Sequence, residues 1–292
     1  MKTSLFLLNI SFQYPGGLPF NKLQERIKAL ESDITYMREN KQATFKNDSI
    51  YDESLWGEYS ILECLYPPEN ISLLHRDVRK SLIKIIDRAK STEYTNDEIF
   101  IKIRINNKDD ICGLLCLHET EGIDPVYLIY HKQNWLDFHR HQMSIHINDI
   151  SEFLIEVKKY FPDLFFHEHN HTSLAGIDGG FQYFRKAIIN ALTYLNDKFK
   201  TIFSKSNNLM DCLKIFSAES GIETSLEGDS SRKKDFSFIF EGKTVCCEPH
   251  MKIAKKDQSG TSKYYFNRIY FHPGNSEILN GKILIGHIGK HL

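Results

Sequence analysis

Alternation of polar and apolar residues with a period of two constrains the C-terminal quarter of this chain more than any other feature. The segments Glu248-Pro249-His250-Met251-Lys252 and Arg268-Ile269-Tyr270-Phe271-His272 both carry it, and Gly286-His287-Ile288-Gly289-Lys290-His291-Leu292 follows them. Read as extended strands, the first puts Glu248, His250 and Lys252 on one face. The second gathers Arg268, Tyr270 and His272 on a neighbouring strand. His287 alternates against Leu284 and Ile288 on the last. An acid, several imidazoles and fixed cations within so few residues point to proton transfer or phosphate chemistry.

The rest of the composition sets outer bounds. A chain of 292 residues can bury a core without a disulfide or metal staple. Its 41% hydrophobic and 26% charged residues are ordinary for a globular protein. No apolar run approaches the ~18 residues that cross a bilayer, so no membrane partner is expected and a cytoplasmic location is. The apolar start, Met1 to Asn9, reads as a first strand leading into the turn at Tyr14-Pro15-Gly16-Gly17. Six cysteines without a paired CxxC pattern read as buried free thiols. Charge is uneven: residues 229–292 hold 11 Lys/Arg against 6 Asp/Glu, while the remainder holds 26 against 32. A basic C-terminal part on an acidic body suits a phosphate-facing or nucleic-acid-facing module.

Pattern along the chain predicts an α+β protein in three regions. Residues 1–95 read as mostly helical, with Leu23, Ile27, Leu30, Ile34 and Met37 forming one helical stripe and further helices over 55–65 and 73–89. Residues 96–205 read as a small mixed layer. Three strands are expected there, over 98–105, 110–117 and 126–130, followed by helices over 150–160 and 181–203. Residues 206–292 read as a helix over 209–216 ending at Gly221, a polar link over 219–234, and a four-stranded antiparallel meander. Its expected strands are 236–240, 244–253, 264–272 and 282–288, with the apolar odd positions of the second packed on the helix and the even ones facing outward.

Two chemistries fit the C-terminal residues. In the first, no cofactor is needed. Glu248 or His250 accepts the 2′-hydroxyl proton of RNA, His272 or His287 protonates the leaving 5′-oxygen, and Lys252 with Arg268 neutralises the phosphorane. Tyr270, Lys290 and His291 would bind substrate. Each positioned proton-transfer group is typically worth ~10²–10⁴ in rate, and arginine gives a planar two-point phosphate contact. The second uses Mg²⁺ held by Asp235 and Glu248, with Lys252 positioning water. That acid–acid–lysine order resembles the PD-(D/E)XK nucleases and implies DNA cleavage, although His250 stands where that family has an acid.

A helix followed by an antiparallel meander, with Arg268-Ile269-Tyr270-Phe271 in a middle strand and Ile283 to His287 closing it, resembles the RelE/ParE family of bacterial toxins over residues 205–292. The resemblance implies an endoribonuclease or toxin-like effector, in phage defence, with a protein partner such as an antitoxin. The longer string of C-terminal motifs also resembles bacterial proteins of no established activity. A non-enzymatic module docking nucleic acid or an acidic protein is the third reading. Separately, His167, His169 and His171 alternate and would converge on a zinc or copper ion if extended, and Asp178-Gly179-Gly180 reads as a helix-opening turn.

Overall fold

The computed structural model describes residues 1–12, 19–68, 73–228, 230–253 and 267–292. The chain divides into two compact units, Met1–Gln142 and Met143–Leu292, so the boundary falls inside the 96–205 segment. Helices and strands mix in both units.

The first unit runs β1 (Thr3–Leu7), α1 (Asn9–Phe12), α2 (Phe20–Glu39), β2 (Ala43–Lys46), β3 (Ser54–Trp56), β4 (Tyr59–Ser60) and α3 (Ile61–Leu65). It continues with α4 (Arg76–Asp87), β5 (Lys90–Ser91), α5 (Asn96–Ile105), β6 (Ile111–Leu115), β7 (Leu128–Ile129) and α6 (Lys132–His146), within which it ends. Five strands form one sheet in the order β5-β2-β1-β6-β7, every pair parallel. Strands buried on both faces read as near-continuous apolar runs, as Leu5–Leu8 and Ile111–Leu115 do. Residues 1–95 therefore contribute three strands to a parallel sheet, the expected first strand among them, beside the helices α1 to α4. The stripe on α2 is as expected, with all five apolar positions buried.

A correction concerns residues 98–105, expected as a strand and found within α5. Local capping overrides the alternation. Thr95 and Glu98 form a reciprocal capping box, and Asn106 closes the helix in the left-handed region at φ 46°. Ile99 and Ile103, four apart, are buried against Phe6 and Leu114, whereas Ile101 and Ile105 are exposed.

The second unit runs α7 (Ile150–Tyr160), β8 (Leu164–Phe166), α8 (Asn170–Ala175), α9 (Phe181–Lys205), α10 (Leu209–Ser220) and β9 (Thr224–Ser225). Then come β10 (Ser237–Phe240), β11 (Lys243–Cys246), β12 (His250–Lys252), β13 (Asn267–His272) and β14 (Ile283–Lys290). As expected, Gly221 ends α10 in the left-handed region at φ 66°, and positive φ at Gly179 and Gly180 opens α9. The sheet order is β8-β14-β13-β12-β9, antiparallel except for the β14–β8 pair.

The expected four-stranded meander is thus corrected to three meander strands, β12 to β14, with β9 and β8 at the edges. The expected strand 244–253 is two strands in different sheets. Among the described residues β11 pairs only with β10, through a tight turn in which Glu241 (φ 48°) and Gly242 (φ 78°) are both left-handed. The break at Cys247–Pro249 falls where Pro249 has no N–H to give a ladder. Expected strand positions 264–266, the Lys255-Lys256 pair and the Tyr14-Pro15-Gly16-Gly17 turn lie outside the described residues.

Each face of this sheet has its own cover. Met251, Ile269, Phe271, Ile285 and Ile288 are buried, and Phe271 meets Phe199 of α9 edge-on at 5.1 Å. Met251 lies on this helix-packed face as expected, whereas Val245 and Cys247, odd positions of the same expected strand, pack on the other. On the other face, Tyr270 and Leu284 share an apolar cluster with Phe236, Phe240, Val245 and Cys247 of the β10–β11 region, and Phe236 stacks on Tyr270 at 5.2 Å. The even positions of β12 do not simply face outward, because His250 is only 2% exposed.

The hairpin seats on Gly286, the extra residue where the β13–β14 register shifts between Tyr270 and Phe271. A Cβ there would stand 2.5 Å from the Phe238 ring and 3.0 Å from Cys247 Sγ. Gly286→Val should therefore destabilise the protein by about 1–3 kcal/mol through overpacking. A urea-unfolding midpoint unchanged from the wild type would show that the hairpin does not rest there. The six cysteines are free, five of them buried. Among the described residues no helix is long and apolar enough to cross a membrane.

Candidate active site

One carboxylate gathers most of the C-terminal site. Oε1 of Glu227 accepts from Nη1 of Arg268 and from the hydroxyl of Tyr270 at 3.0 Å. Nε2 of His291 lies 3.2 Å from the same oxygen and Nδ1 of His250 lies 3.6 Å away. The Glu227 and Arg268 side chains are 12% and 15% exposed, and His291 is the most open of the group at 27%.

The sheet register produces this meeting. Antiparallel pairing places His250 opposite Tyr270 and Lys252 opposite Arg268, so four polar side chains two residues apart share one face. On the other side of β12, Ser225 pairs with His250, and Glu227 follows two residues later. His291 arrives just beyond β14, whose Gly289 pairs with Arg268. A Cβ at Gly289 would stand 2.7 Å from the Ser173 carbonyl and 2.9 Å from Nε2 of His287, so the strand end passes close only as glycine.

Partners fix the proton positions on the imidazoles. Nδ1 of His250 faces the Glu248 carbonyl at 3.4 Å and the Glu227 carboxylate, both acceptors, so the proton sits on Nδ1. Nε2 then accepts from the Ser225 hydroxyl at 3.2 Å. Nε2 of His287 donates to the Lys290 carbonyl at 2.8 Å, leaving Nδ1 to accept from Nε2–H of His169 at 3.2 Å.

Burial and charge set the protonation states. Burial pushes His250 down to about 4, Arg268 pushes the same way, and the Glu227 carboxylate opposes both. His287 is likewise held at about 4, chiefly by burial. For Glu227, burial alone acts upward. The Tyr270 hydrogen bond and the positive partners His250, Arg268 and His291 outweigh it and hold the carboxyl below its ordinary range. Burial raises Tyr270 to about 12, so its hydroxyl remains a donor. Near neutral pH the cluster is an anionic Glu227 gripped by cationic Arg268, with a neutral His250 beside it.

The expected residues separate into distinct places. His250, Arg268 and Tyr270 meet at Glu227, and His291, expected to bind substrate, joins them. Lys252 shares their face but ion-pairs with Glu223 at the sheet edge. Glu248 leaves the face with the chain break, and its Oε1 accepts from the Gly228 N–H at 3.2 Å. His272, two residues along β13 from Tyr270, accepts the Gly274 N–H on Nδ1 at 3.1 Å and is pushed down by burial. His287 touches the Tyr270 ring edge, 5.8 Å between centroids, but spends its donor on Lys290, whose own side chain is exposed.

The metal expectations are not met by convergence. Asp235 accepts from Arg232 at 3.2 Å while Glu248 holds Gly228. Residues 167–171 turn into α8 instead of extending: His167 accepts the His169 N–H, His169 turns to His287, and His171 turns to Ser151. Among the described residues no group of three or more His, Cys, Asp or Glu could hold a metal ion.

The polar link over 219–234 conceals Glu227. Ile222, Thr224 and Leu226 alternate there with Glu223, Ser225 and Glu227, the same period-two signal as in β12. Comparison with known protein families, curated proteins and solved structures finds no match to this chain.

Acid should weaken this unit in a defined window. Unfolded histidine protonates near pH 6.5, whereas His250 and His287 resist protonation in the fold until about 4. Between those values the unfolded chain binds more protons, so stability rises with pH. Glu227 adds the same sign below the ordinary carboxylate range, because its stabilisation is lost as pH falls through its lowered value. Urea-unfolding free energy should climb by a few kcal/mol between about pH 4 and 6.5, and less steeply in His250→Gln. A flat profile over that window would contradict the assigned states.

Proposed function

We propose that the C-terminal unit is a metal-independent endoribonuclease of the toxin-like effector kind, with Glu227 as its general base. The observation that carries the reading is the gathering of Arg268, Tyr270, His250 and His291 on one Glu227 oxygen. Internal transesterification of RNA needs a base for the 2′-hydroxyl, an acid for the 5′-oxygen and a cation near the phosphorane. Those three kinds of group stand here within one cluster.

In this mechanism Glu227 accepts the 2′-hydroxyl proton as the 2′-oxygen bonds to phosphorus. His291, the most exposed imidazole of the group, serves as the general acid toward the departing 5′-oxygen. Arg268 moves from the carboxylate toward the phosphorane as charge transfers to it, and its delocalised guanidinium suits planar two-point contact. Tyr270 donates to Glu227 and orients it. His250, neutral and tied to Ser225, fixes the same carboxylate from behind. The products are a 2′,3′-cyclic phosphate and a free 5′-hydroxyl, with protons balanced between Glu227 and His291.

Labelled RNA incubated with the purified protein in EDTA should be cut, and the same strand carrying 2′-deoxyribose throughout should not. Glu227→Gln, Arg268→Gln and His291→Gln should each lower the rate by about 10²–10⁴ while remaining folded by circular dichroism. Cleavage that requires added Mg²⁺, or full activity in all three variants, would overturn the assignment.

A further inference from the structure

A cavity of about 400 Å³ opens beside the Glu227 cluster, lined by Leu226, Lys233, Glu248, Pro249 and His272 among others. Its volume falls within the ~300–1,000 Å³ usual for small-molecule sites. Its lining also takes in Phe203 and Leu209, and the chain ties it to the cluster at two points. Leu226 is the residue before Glu227, and Glu248 holds the N–H of Gly228, the residue after it. His272 lies two residues along β13 from Tyr270, about 7 Å on an extended strand. That is the scale of the step from a ribose 2′-oxygen to the far edge of its base.

We propose that this cavity receives the nucleobase on the 5′ side of the cleaved phosphate and selects guanine, with Glu248 as the reading residue. The proposal rests on the endoribonuclease reading for its place in the reaction, and on the cavity's own chemistry for its selectivity. A carboxylate offers acceptors only. Among the four RNA bases, guanine alone presents two adjacent donors, N1–H and N2–H, that a carboxylate engages side by side. Adenine and cytosine each set a ring-nitrogen acceptor next to the amino group, which a carboxylate repels, and uracil offers a single N–H between two carbonyls.

Glu248 is steadied for this task by the Gly228 N–H, which its Oε1 accepts at 3.2 Å. The complementary edge is also provided for. His272 accepts the Gly274 N–H on Nδ1, so its neutral form carries the proton on Nε2 and can donate to guanine O6 or N7. Lys233 adds a cationic donor in the same cavity. Leu226 and Pro249 give apolar walls for the base faces, in the manner of single-stranded RNA recognition, where a splayed base is stacked and read on its edges. Glu248 and His272, acid–base candidates on the sequence alone, thus form a reading pair in this cavity.

The test uses the full chain and guanosine, adenosine, cytidine and uridine 3′-monophosphates, titrated by calorimetry, beside cleavage of GpC, ApC, CpC and UpC. Guanosine 3′-monophosphate should bind at least tenfold more tightly than the other three, and Glu248→Gln should erase that preference. His272→Asn should reduce it if the Glu248 variant fails to fold. GpC should be cut at least tenfold faster than the other dinucleotides. Equal binding of the four nucleotides, or none, overturns the pocket. Cleavage of all four dinucleotides at similar rates overturns it too but leaves the nuclease reading intact. Guanosine-selective binding without cleavage of any dinucleotide upholds the pocket and defeats the nuclease reading.

Discussion

A nearly buried carboxylate is the constraint around which the C-terminal unit is arranged. Removing an ionised glutamate from water is unfavourable by several kcal/mol unless opposite charge and hydrogen-bond donors replace the lost hydration. Glu227 receives both, from Arg268 and from Tyr270, with His291 and His250 close by. If one partner were removed, the others would face an unmatched charge. The group is therefore expected to behave as one unit, and its geometry follows from strand register more than from any loop.

The second structural element the site depends on is the β10–β11 hairpin. It covers the face that would otherwise be open to solvent, stacking Phe236 on Tyr270 and resting Phe238 where Gly286 has no side chain. That cover gives the cluster its low-dielectric surroundings, which is why burial leads the causes pushing down His250 and His287 and raising Tyr270. The break at Pro249 serves the same end. It releases Glu248 from the sheet so that β11 can turn over the face while β12 remains in register with β13.

Much of this was legible in the residues, and the failures have identifiable physical causes. The period-two pattern located β12 to β14 and correctly paired His250, Arg268 and Tyr270 on one face. It overreached across Pro249, because alternation says nothing about which partner strand supplies the ladder. It failed at 98–105, where alternating isoleucines met a capping box strong enough to choose the helix. Glu227 escaped notice because its alternating segment is short and polar on one side, and only two of its residues join the sheet. In the first unit the strands at Met1–Asn9, 110–117 and 126–130 were legible, whereas β2 and β5 were not. These are four and two residues long, too short for periodicity to declare a strand.

The central claim is that Glu227 and Arg268 are energetically coupled in the folded protein. A double-mutant cycle of Glu227→Gln and Arg268→Gln, read by urea unfolding at neutral pH, tests it directly. The account predicts that the two losses fail to add by about 1–3 kcal/mol, with the double variant more stable than their sum. Additivity within about 0.5 kcal/mol would mean that the two groups do not share a site.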